Sequence, residues 1–539
     1  MKKSILSIGG RQLIVVGVCL TVALAGYLGW RSLEHSVEPE GRVGDVGERR
    51  EADNPKGRAS WFMYQRKYPF DRVPDNARKA AFDDAVARGL FANNFGGGST
   101  WNPIGPMPTA GAGPGGAVSG RINEIAVSPA NAQIVLVAGA TGGIWRSTDG
   151  GANFAPVTDN QVDLSVGSIA FAPSDANIVY AGMGDRDNSY FGSGVLKSTD
   201  AGATWNRVNT AGLPEKGTTT RILVDPANAN KVYLAQENSL PGTPNCSGRS
   251  GCGEISGVWV SSDGGVNWNR TLEGLPTDLA IHPTNAQIVY AAVRLGAAAG
   301  PRGLFKSTDG GAGWNIALAS PYTASEDATK DFRVAVTPAA PDRVYAYFGT
   351  DGPPKEVRLE MSNDAGATWT NRGVVTNTAA GLDQGQFAYN TYLVADPANA
   401  DTVWVGCRDF FRSTDAGVTF TNLNGSFQPP YPDGPFTEAQ QKVHTDQQAF
   451  AFLPGSSSTF FVGNDGGIFK TTDSGATFTS LNGTLSLTQF VGFALHPTDG
   501  TRSYAGAQDN GTQRRTPGTN GWSEFTATGD GGNLAINPV

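Results

Sequence analysis

Residues 122–158 read INEIAVSPANAQIVLVAGATGGIWRSTDGGANFAPVT, and their pattern decides the fold. An apolar-alternating run, INEIAV, meets a Ser-Pro-Ala-Asn turn and is followed by IVLVA, a Gly-rich turn, IWRS, the octet STDGGANF and a last short run. Alternation at period two, broken by Gly, Pro, Asn and Asp, marks short half-buried strands rather than helix. The stretch therefore predicts four consecutive strands joined by tight turns.

The unit then repeats. Octets of the form S-x-D-x-G-x-x-W/F carry Asp149, Asp200, Asp263, Asp309, Asp364, Asp415 and Asp473 at their third position, with starts 51, 63, 46, 55, 51 and 58 residues apart. A second element keeps the same phase, as in IAFAPSDANIVYAG, LAIHPTNAQIVYAA and LVADPANADTVWVG. Four strands per unit at this period predict an all-β propeller, here of about eight blades. In each octet the carboxylate can accept backbone N–H bonds from the turn it opens, while Gly supplies positive φ and the aromatic packs between sheets. These seven aspartates read as structural clasps, because one carboxylate per blade spread around a ring cannot converge on one substrate.

The pattern resembles the Asp-box (BNR) repeats shared by sialidases, sortilin-type receptors, xyloglucanase-like glycoside hydrolases and photosystem assembly factors, over residues 100–539. The strings SGRINEIAVSP, GGIWRSTDGG, HTDQQAFAF, GNDGGIFKTTD and GAQDNGT look most like secreted or membrane-anchored bacterial BNR/sortilin-like proteins. The resemblance implies a propeller. It does not select an activity, since its families include enzymes, receptors and assembly proteins.

The rest of the chain narrows the setting. Of 539 residues, 71 are Gly and 32 Pro, charged residues make up 17%, and the net charge is −8. With no Lys/Arg-rich run, a nucleic-acid partner is set aside. Lys2, Lys3 and Arg11 precede the uncharged residues 13–30, so residues 1–30 read as a signal peptide or membrane anchor that places the remainder outside the cytoplasm. Residues 31–60 read as a disordered tether, 61–99 as a short helical segment and linker, and 100–539 as the propeller. Cys246 and Cys252 flank a short loop and read as a loop-tying disulfide. The closing NLAINPV looks like the first strand of one more repeat, so eight complete blades and a ninth begun are expected, as in a truncated array.

Blade topology puts the turn between strands two and three, and the loop entering strand one, on the face that opens onto the channel, where function is expected. Candidates there are Asp185, Asp187, Tyr190, Arg408, Asp409 and Asp530, with Asp465, Asp446, His444 and Asp509 as catalytic candidates. The leading expectation is a module binding a protein or glycan ligand, or a scaffold. The alternative is a glycoside hydrolase, which needs two carboxyl groups about 5 to 9.5 Å apart. The xyloglucanase resemblance implies aspartates in Gly-flanked turns; GNDGG with Asp465 is similar to one of them, whereas the other turn reads ATGG, with Thr141 where Asp is wanted. A purely structural array is the third reading. No metal ligand set or cofactor is indicated, although a calcium ion could sit among the Asp side chains.

Overall fold

The computed structural model describes residues 77–88, 104–111, 116–186, 190–208, 211–214, 217–237, 256–294, 302–322, 330–350, 356–375, 389–425, 441–519, 521–526 and 529–536. The targeting segment, the tether, the Cys246/Cys252 pair and Asp187 lie outside these residues. A helix at Ala77–Ala87 forms where the spacing of Ala77, Ala81, Phe82 and Ala85 predicts one.

The first repeat folds as read. Its strands are Ile122–Val127, Val135–Gly139, Ile144–Ser147 and Ala155–Pro156, paired in that order and antiparallel. The Ser-Pro-Ala-Asn turn is closed by Ser128 N–H donating to Ile134 O (3.0 Å) and Ile134 N–H to Asn131 O (2.9 Å). Six further four-stranded sheets follow the same order, in residues 166–207, 218–273, 276–319, 330–375, 392–422 and 447–480.

Each blade is locked by its octet. In blade 1, Ser147 Oγ donates to Asp149 Oδ1 (2.7 Å), Gly151 N–H to Ser147 Oγ (2.9 Å) and Asn153 N–H to Asp149 Oδ1 (2.9 Å). The same three bonds recur around Asp200, Asp263, Asp309, Asp364, Asp415 and Asp473. The two residues after the Asp both take positive φ, 72° and 95° at Gly150 and Gly151. The clasp reading of these aspartates thus has its hydrogen bonds.

A single blade leaves both faces apolar, and its neighbours cover them. Leu136, Ala138 and Ile144 of blade 1 pack on Ile169, Phe171 and Val179 of blade 2. The last interface joins ends far apart in sequence: Ala449, Phe461 and Ile468 of blade 7 pack on Ile122, Ile125, Val135 and Trp145 of blade 1. The ring therefore closes after seven blades. Each fully buried Val, Leu or Ile in these seams is worth about 1.5–3 kcal/mol, so stability belongs to the ring rather than to any one blade.

The eighth repeat is present as a sheet but stands outside the ring. Its strands, Phe490–Leu495, Ser503–Ala507, Thr512–Arg515 and Trp522–Thr526, are joined at the outer edge by Thr109–Ala110, which runs parallel to the last of them. Trp522 Nε1–H donates to Ile104 O (2.6 Å) and Thr109 Oγ to Gln513 Oε1 (2.6 Å), so the segment leading into blade 1 holds this sheet. Thr109–Ala110 thus makes this sheet five-stranded. Residues 531–536 after it form no strand.

Candidate functional site

The first strands line the axis. At one equivalent position they present Glu124, Ser168, Arg221, Asp278, Arg333, Tyr392 and Ala449, and in blades 1, 2, 3, 4 and 7 the pairing register slips by one residue just there. A bulge re-aims the side chain it carries. The result is a cavity of about 110 Å³ bordered by Glu124, Arg221, Asp278 and Arg333 among others. Arg221 reaches Glu124 (2.7 Å) and Asp278 (3.6 Å), Arg333 pairs with Asp331, and Arg186 reaches Asp331 (3.3 Å). Burial pushes the carboxyls of Glu124 and Asp278 up, against the pull of Arg221. The cavity is thus lined by paired opposite charges.

At one mouth of this channel the candidate carboxyls meet. Asp465 sits in the turn between Phe460–Asn464 and Gly467–Thr471 of blade 7, Asp446 just before the first strand of that blade, and Asp509 in the equivalent turn of the eighth sheet. One carboxylate oxygen from each lies within 4.8 Å of the others. Asp446 and Asp509 both take positive φ, 64° and 54°, and are partly exposed, while Asp465 is 2% exposed. Burial pushes the Asp465 carboxyl up to about 7; Arg121 opposes this and the Asp446 charge adds to it. A calcium ion takes six to eight oxygens. Three carboxyls supply only part of that set, and burial raises one of them toward its neutral form.

Residues that sequence reading passed over complete the cluster. Arg121, fully buried, pairs with Asp185 and donates to Tyr389 Oη (2.9 Å). Tyr389 Oη lies 2.5 Å from Asp465 Oδ2, and Gln508 Nε2 is 3.0 Å from Tyr389 Oη. Asn390 donates to Asp446. A signal for two of them was present in the blade phase. Arg121, Tyr389 and Asp446 each stand three residues before the channel position of their blade, at Glu124, Tyr392 and Ala449, so they enter the same mouth together.

The remaining candidates divide. Asp185 joins through Arg121. Asp530 Oδ1 accepts the Asp509 N–H (3.0 Å), which fixes the eighth-sheet turn. Asp409 accepts from Asn422 and Asn424 (2.8 Å each) and so ties its own blade. Arg408 meets the cluster through its carbonyl, which accepts the Asp446 N–H (2.9 Å). Both ring nitrogens of His444 face carbonyl oxygens, Thr445 O (3.0 Å) and Asp509 O (3.1 Å), so the ring braces the ring–sheet junction rather than a carboxylate. Tyr190 opens a strand of blade 2. Thr141 occupies the blade 1 turn equivalent to that of Asp465 and brings no carboxyl there.

No family model matches this chain. It is 31% identical over 142 residues to a xyloglucanase of Hypocrea jecorina, covering 24% of this chain and 15% of that protein. To a xyloglucanase of a Paenibacillus species it is 25% identical over 357 residues, 57% of this chain and 32% of that protein. It thus spans about a third or less of the length of these relatives. Among solved structures it resembles the GH74 xyloglucanase of Xanthomonas campestris, with TM-score 0.54, 16% identity, and coverage of 80% of this chain and 71% of that one. An ancestral GH74 enzyme gives TM-score 0.54 at 18% identity, over 79% and 56%. The likeness to these structures is one of fold, a β-propeller.

Proposed function

We propose that the chain acts on glycans as a glycoside hydrolase of the xyloglucanase-like type, with Asp465 as its proton donor. The observation that carries the reading is the buried Asp465 carboxyl in its turn, grouped with those of Asp446 and Asp509, where burial pushes it up to about 7. A general acid works best when its pKa lies near the operating pH. The xyloglucanase relatives favour hydrolysis over the protein-ligand or scaffold reading that the repeats alone put first. An extracytoplasmic location, read from residues 1–30, fits a polymeric substrate.

The test is release of reducing ends from xyloglucan and other β-glucans by the full chain, beside Asp465→Asn. General-acid catalysis contributes about 10²–10⁴-fold, so the variant is expected to lose at least about 100-fold. Lack of any release by the unaltered chain overturns the proposal.

A second reading, glycan binding without cleavage, is favoured by two specific observations. Thr141 stands where the resemblance wants a second aspartate, and one oxygen each of Asp465, Asp446 and Asp509 lies within 4.8 Å of the others, below the about 5 to 9.5 Å that a glycosidase pair spans. Retarded migration of the chain in xyloglucan-containing gels without release of reducing ends supports this reading against the first.

A further inference from the structure

Two equivalent turns face each other at the candidate site, one inside the ring and one outside it. Residues 464–467 of blade 7 carry Asp465, and residues 508–511 of the eighth sheet carry Asp509. Each turn is fixed first by its own part of the molecule. In blade 7, Gly466 N–H donates to Asn464 Oδ1 (3.1 Å), and Gly466 O accepts from Ser119 N–H (2.9 Å) and Asn482 Nδ2 (3.1 Å). In the eighth sheet, Gln508 N–H donates to Gln489 O (2.9 Å), Ala507 N–H to Gly511 O (2.9 Å) and Gly511 N–H to Gly529 O (2.8 Å). The carbonyl of Asp465 is met from across the junction. Asn510, only 7% exposed, donates from Nδ2 to Asp465 O (2.9 Å) and to Gln508 O (3.0 Å).

The orientation of that amide follows from its surroundings. Nδ2 carries two hydrogens and stands between two carbonyl oxygens, whereas the amide oxygen in that place would face two acceptors. Both hydrogens are therefore spent on backbone, one within the eighth sheet and one on the residue whose carboxyl the hydrolase proposal needs. A second contact from the same turn reaches the other end of Asp465. Gln508 Nε2 donates to Tyr389 Oη (3.0 Å), which lies 2.5 Å from Asp465 Oδ2. The ring returns the grip: a Cβ at Gly466 would stand 2.6 Å from His444 Cβ, so the histidine lies over the Asp465 turn, and its Nε2 is 3.1 Å from Asp509 O.

We infer that the eighth sheet is a working part of the site, with Asn510 as the positioning residue that holds the backbone of Asp465 from outside the ring and Gln508 supporting its carboxyl through Tyr389. A buried carbonyl that loses its donor is left unmet, at a cost that drives the backbone to find another partner. A carboxyl on a shifted backbone is misplaced for proton transfer, which needs hydrogen-bond reach to the reacting atom. The repeat that falls outside the ring thus fixes the one ring turn on which the proposed chemistry depends.

The catalytic consequence rests on the hydrolase proposal and the structural one does not, so the test reads both. Asn510→Ala removes both donors. Hydrogen exchange of the full chain, followed by mass spectrometry, should quicken about 3- to 10-fold in the peptide covering residues 463–468, as expected for the loss of one buried hydrogen bond. The blade 3 octet at residues 261–268 should exchange as before. On xyloglucan the variant should lose about 10- to 100-fold in kcat with KM unchanged, because both hydrogens of Asn510 Nδ2 are committed to backbone rather than to a ligand. Asn510→Ser, whose side chain is too short to reach Asp465 O, stands in if circular dichroism shows that the alanine variant does not fold. Unchanged exchange at residues 463–468 in a folded variant overturns the grip, and a raised KM with unchanged kcat overturns the positioning role. Absence of reducing-end release by the unaltered chain strikes the hydrolase proposal alone, and the exchange result then decides the grip by itself.

Discussion

The seven ring blades and the eighth sheet are built from the same repeat, yet they bury different surfaces. At the first apolar position of the strand-one motif, Ile125, Ile169, Ile222, Leu279, Val334 and Leu393 are buried in six ring blades, and Phe450 of the seventh is partly buried. The equivalent Phe493 of the eighth sheet is 48% exposed, and Leu495, two residues on, is 57% exposed. The strand pattern is the same and the pairing is the same; what differs is the presence of a preceding sheet. Burial in this fold is conferred by the neighbour, so an apolar alternation specifies a strand without specifying what covers it.

That contrast has a direct measurement. Leu279 is 2% exposed within the seam between blades 3 and 4, and Leu279→Ala should cost about 2–5 kcal/mol. Phe493→Ala, at the same point of the repeat, should cost less, about 1 kcal/mol, because its half-exposed ring meets Phe490 and Trp522 of its own sheet. Denaturant midpoints followed by tryptophan fluorescence compare the two. Equal losses would mean that the open face of the eighth sheet is covered in solution, and the contrast would fail.

The sequence carried local structure well and closure poorly. Each clasp is legible because its partners lie within four residues, as Ser147, Asp149 and Asn153 do. The number of blades in the ring is set by how Ile122 and Val135 seat against Ala449 and Phe461 more than 300 residues away, and an eighth repeat of nearly the same pattern gives no sign that it falls outside. At the site, Asp465, Asp446 and Asp509 were readable as acidic residues in channel-face turns. Tyr389, Arg121 and Gln508 were not, because an isolated Tyr, Arg or Gln carries no motif; only their blade phase or their turn places them. Of these, Gln508 belongs to a sheet whose seat on the ring is a tertiary fact with no local signature.

A second contrast follows from the clasps themselves. The eighth sheet has DNGTQRRTPGTNGWSEF where a ring blade has its acidic octet, and its turn is closed by Thr516 N–H to Gly521 O (2.8 Å) and Gly521 N–H to Thr519 Oγ (3.1 Å), without a carboxylate. In the ring, Asp149, Asp364 and Asp473 are held down at about 2, first by the side chains of Asn153, Thr368 and Thr477 and then by the backbone N–H of those residues. A carboxyl depressed in the folded state contributes stability that is present above its unfolded value near 4 and lost as pH falls through about 2. Hydrogen exchange read by mass spectrometry between about pH 5 and pH 2 should therefore show the seven octet turns loosening before residues 516–521. Uniform loosening would show that the carboxylates do not set the acid limit of the ring.

The smallest effect lies inside the clasp. The residue after each Asp takes positive φ, and the blades fill it differently: Gly150, Gly264 and Gly310 in three of them, Ala201, Ala365 and Ala416 in three others, and Ser474 in blade 7. An L side chain in this region costs roughly 1–2 kcal/mol, whereas Gly costs the unfolded chain about 0.4–1 kcal/mol of extra entropy. Ser474, φ 57° and only partly buried, loses little packing on truncation, so Ser474→Gly should raise stability by up to about 1 kcal/mol. Ala416 is different because its methyl is buried against Val403, Phe411 and their neighbours. Removing a buried methyl costs about 0.8 kcal/mol, which offsets the relief, and Ala416→Gly should be close to neutral. The pair of midpoints isolates strain from packing at one geometry: if Ser474→Gly destabilises, the positive φ of the non-glycine clasps carries no strain, and the mixture of Gly, Ala and Ser at this point of the repeat reflects packing alone.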